Sequence, residues 1–118
     1  MFREILQGIV DEADGISAVL MGYDGLPVDQ VERSFEGIDL NVLAVEYANV
    51  LKEVKSAVSL LNTGDLEEMA IRTARFNIII RALTKEYFVT LTMVREGNFG
   101  KGRYLLLREA PRLREALR

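Results

Sequence analysis

The stretch LEEMAIRTARFNIIIRALTKEYFVTLTMV, residues 66–94, decides the fold, because it carries three strand patterns in a row with no helical period between them. Over residues 66–73, Leu66, Glu68, Ala70 and Arg72 alternate with Glu67, Met69, Ile71 and Thr73, the pattern of a half-covered strand near a sheet edge. Residues 76–83 and 87–94 are more apolar, centred on Ile78, Ile79 and Ile80, and Thr84-Lys85-Glu86 between them reads as the turn of an antiparallel hairpin. Glu67 and Glu68 do not make an acid pair: consecutive strand residues point to opposite faces and cannot share a proton.

Upstream, residues 39–61 keep a helical period for about six turns, from Asp39 as N-cap to a stop at Asn62-Thr63-Gly64. Leu40, Leu43, Ala44, Tyr47, Leu51, Val54, Val58 and Leu61 form one stripe. A second row, Val42, Val45 and Leu60 with Ala48, Asn49, Ser56 and Ser59 among them, widens the apolar arc beyond what one sheet face needs and implies a second packing partner. Before this helix lie two more strands. Residues 16–21 are almost wholly apolar, as in a strand covered on both faces, and residues 26–31 follow the turn Tyr23-Asp24-Gly25. Pro27 lacks an N–H for the ladder, which places it on an edge strand or at a strand's first residue. The chain opens on an amphipathic helix with Phe2, Ile5, Leu6, Ile9, Val10 and Ala13 on one face, ended by Asp14-Gly15 with the glycine as left-handed cap. It closes on a helix starting near Gly100, with Leu106, Ala110, Leu113 and Leu117 inward and a kink or break expected at Pro111. The order α-β-β-α-β-β-β-α makes an α+β fold: one five-stranded, mostly antiparallel sheet with helices on both faces, and a single domain over residues 1–118.

Composition narrows the chemistry. The 118 residues contain no cysteine and no histidine, which removes thiol nucleophiles, cysteine metal sites, the commonest general base and every Ser-His or Cys-His arrangement. No enzymatic activity, metal or cofactor is expected. The net charge of -3 is unevenly spread: residues 95–118 carry 7 basic against 3 acidic side chains, while residues 1–94 carry 8 against 15. That basic segment reads as a solvated helix face, and an acidic chain is a poor non-specific binder of nucleic acid. Arg3, Glu4 and Gln7 interrupt the first apolar residues, and no run approaches the ~18 apolar residues of a membrane span, so a cytoplasmic protein without membrane insertion is expected.

EGNFGKGRYLLL, residues 96–107, raises a phosphate site, since glycine-freed amides at a helix start attract anions. A nucleotide P-loop needs G-x-x-x-x-G-K and then a hydroxyl; here Gly97, Gly100 and Gly102 surround Lys101 and no hydroxyl follows. The loop is read as a structural joint, with Gly100 as the residue needing positive φ or close packing, and Lys101 and Arg103 as surface charges. Arg72, Arg75 and Arg81 are read as solvated arginines of the sheet rather than as an arginine finger.

With YDGLPV at the first hairpin, a long central helix ending at a glycine, and Asn98, Gly100 and Arg103 matching an N-x-G-x-x-R turn, the whole chain resembles the Roadblock family of dynein light chains and their bacterial MglB-like relatives. Pro111 departs from that pattern. The resemblance implies a non-enzymatic dimeric regulator or scaffold that binds a Ras-like small GTPase of the MglA type and speeds its GTP hydrolysis, where it does so, by arranging the GTPase's own residues. It implies a homodimer joined through the central helix and the strand after it, with Val42, Val45, Asn49 and Ser56 on the helix and Leu66, Glu68, Met69, Ala70 and Ile71 on the strand. Glu46, Lys52, Glu53 and Lys55 would then surround the composite partner surface. The alternative is a small-molecule sensor or general protein-interaction domain of similar build, which would need a pocket lined by polar groups.

Overall fold

The strand patterns become one antiparallel sheet in the computed structural model, which describes residues Met1–Arg118. In chain order the elements are α1 Phe2–Ala13, β1 Ser17–Gly22, β2 Pro27–Glu32, α2 Leu40–Leu61, β3 Glu68–Arg72, β4 Phe76–Ala82, β5 Tyr87–Val94 and α3 Phe99–Ala116. The strands lie in the order β2-β1-β5-β4-β3, so that the chain's two strand groups meet where β1 pairs with β5. This is the expected α-β-β-α-β-β-β-α architecture.

Alternation along each central strand divides the core between the two faces of the sheet. Ala18, Leu20, Ile79, Leu91 and Met93 face α1 and α3, where they meet Leu6, Ile9, Val10, Leu105, Leu106 and Leu113. Val19, Met21, Ile78, Ile80 and Phe88 face α2, where they meet Ala44, Ala48 and Leu51. Two helices therefore cover one face. The other carries a single helix, buried along Ala44, Ala48 and Leu51.

Local chemistry sets the ends of these elements. Asp39 caps α2 by accepting from the N–H groups of Asn41 and Val42 at 3.0 and 3.2 Å. In the first hairpin the Asp24 carboxylate accepts from the Leu26 N–H, and Gly25 takes φ 88°, a left-handed conformation that favours glycine. Pro27 is both on an edge strand and first in it, so its missing N–H costs no ladder bond.

Several expectations are corrected. The left-handed residue after α1 is Asp14, at φ 53°, and not Gly15. An aspartate tolerates that region through its short polar side chain, whereas Gly15 is needed because a Cβ there would lie 2.9 Å from Leu91 Cδ1. β3 is shorter than the alternating stretch: Glu67 contributes only its carbonyl, to Ala82 N–H, and Thr73 already turns back onto Phe76. α3 starts at Phe99 under an Asn98 cap and continues through Pro111 without a break. Pro111 and Leu107 are both on the solvent side, where the carbonyl left without its partner can take water.

Candidate interaction surface

The outer edge of the sheet is built from the strand that decided the fold. Glu67 accepts from Ala82 N–H and Thr73 donates to Phe76 carbonyl, so the odd-numbered residues of this stretch aim their main-chain polar groups at β4. Glu68, Ala70 and Arg72 consequently turn their N–H and C=O groups outward, where no further strand lies. Side chains alternate as well: Met69 and Ile71 pack toward α2, whereas Glu68, Ala70 and Arg72 lie on the α3 side. Unpaired edge amides of this kind are a template for another strand.

On the same side of the sheet as Met69 and Ile71, α2 exposes apolar side chains, and its first turn leans on the opposite edge strand, Gln30 Nε2 donating to Asn41 Oδ1 at 3.4 Å. Val42 is 55% exposed and Val45 44%, and Asn49, Ser56 and Leu60 are exposed on the same side of the helix. The first stripe is only partly buried: Ala44 and Leu51 are enclosed, Tyr47 and Leu40 are half-covered, and Leu61 is 69% exposed, whereas Ala48, expected in the second row, is buried against the sheet. Of the residues assigned to a self-contact, Val42, Val45, Asn49 and Ser56 share the free helix face. Leu66, Met69 and Ile71 are half-buried under α2, and Ala70 is exposed on the opposite side of the sheet. Glu46, Lys52 and Glu53 are exposed on α2, but Lys55 is turned inward, its Nζ 3.9 Å from the centre of the Tyr23 ring and donating to Lys85 carbonyl at 2.6 Å.

Glu68 holds the edge strand to α3. Both of its carboxylate oxygens accept from Arg103 Nε at 2.8 Å, and Arg81 lies 3.8 Å away. This hydrogen-bonded carboxylate raises the Arg103 pKa further. The basic residues of α3 are exposed to solvent, as expected, and several are also paired: Arg108 bridges Glu12 and Glu109, and Arg112 pairs with Glu109 at 2.6 Å. The sheet arginines are also engaged. Arg72 Nε donates to Asn77 Oδ1 and its guanidinium lies over the Phe99 ring, Arg75 lies over Phe76, and Arg81 is half-buried.

The glycine loop leads directly into α3. Asn98 Oδ1 accepts from Lys101 N–H at 3.0 Å, taking up one of the amides that an anion would need. Gly100 is not the restrictive glycine: its φ is ordinary and a Cβ would meet nothing closer than 3.7 Å. Gly102 is, because a Cβ there would lie 2.6 Å from Met93 Sδ and 3.1 Å from Leu91 Cδ2. No group of three or more acidic side chains is placed to hold a metal ion, and no helix is long and apolar enough to cross a membrane.

Sequence reasoning missed a cleft of about 550 Å³ at one end of the sheet, lined among others by Tyr23, Lys55, Leu66, Arg81, Lys85 and Arg114. Its cations come from three separate parts of the chain, and no local pattern joins them.

A three-helix, five-stranded sandwich with a free edge strand and a long helix defines the class. The chain belongs to the Roadblock/LC7 domain family, whose model matches residues 1–92. No curated protein matches it. Among solved structures, MglC from Myxococcus xanthus is 34% identical, with 98% of each chain covered and a TM-score of 0.71. MglB from Thermus thermophilus, a gliding protein, is 17% identical over 96% of this chain and 85% of its own, with a TM-score of 0.85. Myxococcus xanthus MglB is 13% identical over 98% and 96%, with a TM-score of 0.84. The two MglB structures share the fold; MglC shares sequence as well.

Proposed function

We propose that this chain is a non-enzymatic, cytoplasmic regulator or scaffold whose two copies join through β3 and α2 and bind a Ras-like small GTPase. The observation that carries this reading is the free edge of β3, in a chain whose long helix α2 also leaves apolar side chains exposed. Either alone is a liability for an isolated molecule; a two-fold contact covers both. Membership of the Roadblock/LC7 family and similarity to MglC and MglB support it.

The sequence of the edge strand favours a second copy in one register. Centred on Ala70, an antiparallel two-fold pair matches the outward amides of Ala70 with its counterpart and those of Glu68 with Arg72 of the other copy. Met69 then faces Ile71 on the α2 side, and each acidic end of the strand EMAIR meets a basic end. Opposite charges directly across strands contribute about 0.2–1 kcal/mol each, and like charges oppose pairing.

The joined α2 helices would present Glu46, Lys52 and Glu53 around an apolar middle, and the GTPase docks there without receiving a catalytic side chain. Stimulation of hydrolysis, where it occurs, comes from arranging the GTPase's own residues. The test is co-purification of the chain with a Ras-like GTPase loaded with a non-hydrolysable GTP analogue, followed by single-turnover hydrolysis. Binding that depends on the GTP state and disappears with the dimer supports the reading; no binding to any Ras-like GTPase encoded beside this chain overturns it.

A further inference from the structure

The cleft at the end of the sheet has a chemistry unlike the rest of the surface. It lies where the second half of α2 meets the approach to β3 and the β4–β5 turn, and α3 reaches it from the other face of the sheet through Arg114. Four cationic side chains line it: Lys55, Arg81, Lys85 and Arg114. Elsewhere most arginines have carboxylate partners, as in Arg3–Asp29, Arg33–Asp14, Arg103–Glu68 and Arg108–Glu12. In the cleft only Arg81 has one, Glu68 at 3.8 Å, and its Nε is buried with no hydrogen-bond partner.

Two of the others are fixed by neutral oxygens, which orient a cation without cancelling its charge. Arg114 Nε donates to Leu83 carbonyl at 2.7 Å, and Lys55 Nζ donates to Lys85 carbonyl while resting on the Tyr23 ring. Asp65 and Glu67 also line the cleft and pair with none of these cations, so its lining is net positive in a chain of net charge -3. Oriented charges of one sign in a cleft focus the field on an incoming counter-charge. Leu66 and Val58, both half-buried, supply apolar surface beside them.

We propose that this cleft receives an acidic side chain of a partner protein, carried on an extended segment whose neighbouring apolar residue rests on Leu66 and Val58. The chemistry asks for a carboxylate next to an aliphatic group. The cleft is open to solvent along one side, so a free small anion would keep much of its hydration there, whereas ligand sites for small molecules enclose most of the ligand. A docked protein segment closes the open side with its own chain. Every lining residue belongs to one copy, so the cleft works with or without the two-fold contact.

The test uses the full chain and three probes: a short end-blocked peptide of alternating leucine and glutamate, the same peptide with glutamine for glutamate, and inorganic phosphate. The amide NMR signals of Leu66, Leu83, Thr84 and Lys85 should shift saturably with the acidic peptide, and the glutamine peptide should bind at least about tenfold more weakly. Lys85→Glu, at an exposed turn position, should weaken the acidic peptide by a similar factor with an unchanged melting temperature, and Lys85→Gln by less. Raising salt should weaken binding in the parent. Equal binding of the two peptides, no saturable shift at millimolar peptide, or phosphate shifting the same amides as strongly would overturn the proposal.

Discussion

Arg103 Nε lies 2.8 Å from each carboxylate oxygen of Glu68, so a residue of the first turns of α3 grips the edge strand β3 from the face opposite α2. The pair is solvent-exposed on the arginine side, where water and salt screen an ion pair and leave it little net stability. Arg103→Ala should therefore leave urea unfolding of the chain nearly unchanged. Its larger effect should be faster hydrogen exchange at the amides of β3. Exchange in β3 unchanged from the parent would show that the contact does not hold the edge.

The register of the self-contact can be tested by charge exchange. Glu68→Arg alone and Arg72→Glu alone each place like charges across the proposed pair, and both should self-associate more weakly than the parent. Mixed together the two variants are complementary, so a mixed pair should form in preference to either pure one. Native mass spectrometry of the mixture distinguishes the outcomes; a statistical mixture of pairs would exclude the Ala70-centred register.

Val45 is exposed in the single chain, so Val45→Asp should change the stability of a dilute sample by about 0.5 kcal/mol at most while shifting light scattering from dimer to monomer. If the parent is itself monomeric at micromolar concentration, the two-fold platform does not exist.

Gly102 and Gly100 stand two residues apart and should respond oppositely. Gly102→Ala forces a methyl into Met93, Leu91 and Ile79 and should destabilise by about 1–3 kcal/mol, the usual cost of overpacking. Gly100→Ala meets only Asn98 Oδ1, at an ordinary contact distance of 3.7 Å, and should stabilise α3 by up to about 1 kcal/mol through helix propensity. Thermal melts of the two variants decide this, and Lys101→Ala should match the parent.

The Glu12 carboxyl is held below the ordinary carboxylate range, chiefly by its hydrogen bond from Arg108. A lowered folded-state pKa means that this contact stabilises the protein above the unfolded carboxylate value and is lost as pH falls through the folded one. NMR titration should place the Glu12 midpoint below the ordinary glutamate range, and Arg108→Ala should return it there. A Glu12 midpoint insensitive to Arg108 would refute the assignment.

The sequence by itself determined the type and order of every element, because the repeats of 2 and of about 3.6 residues are local consequences of side-chain direction. It marked the edge character of residues 66–73, since a strand covered on one face must alternate, and the wide apolar arc of α2, since a surplus of apolar residues on one helix is visible without neighbours. What it left open depends on packing between distant parts of the chain. Only the strand order shows that β3 has a free side, and only its pairing with β4 selects Glu68, Ala70 and Arg72 as the residues whose amides face it. Gly102 rather than Gly100 is the restrictive glycine because Met93 and Leu91 pass beneath it. Lys55, Lys85 and Arg114 meet at one cleft because α2, the β4–β5 turn and α3 end at the same corner of the sheet. Periodicity is short-range and legible; which charges are left without a carboxylate is settled by long-range contacts that no local pattern encodes.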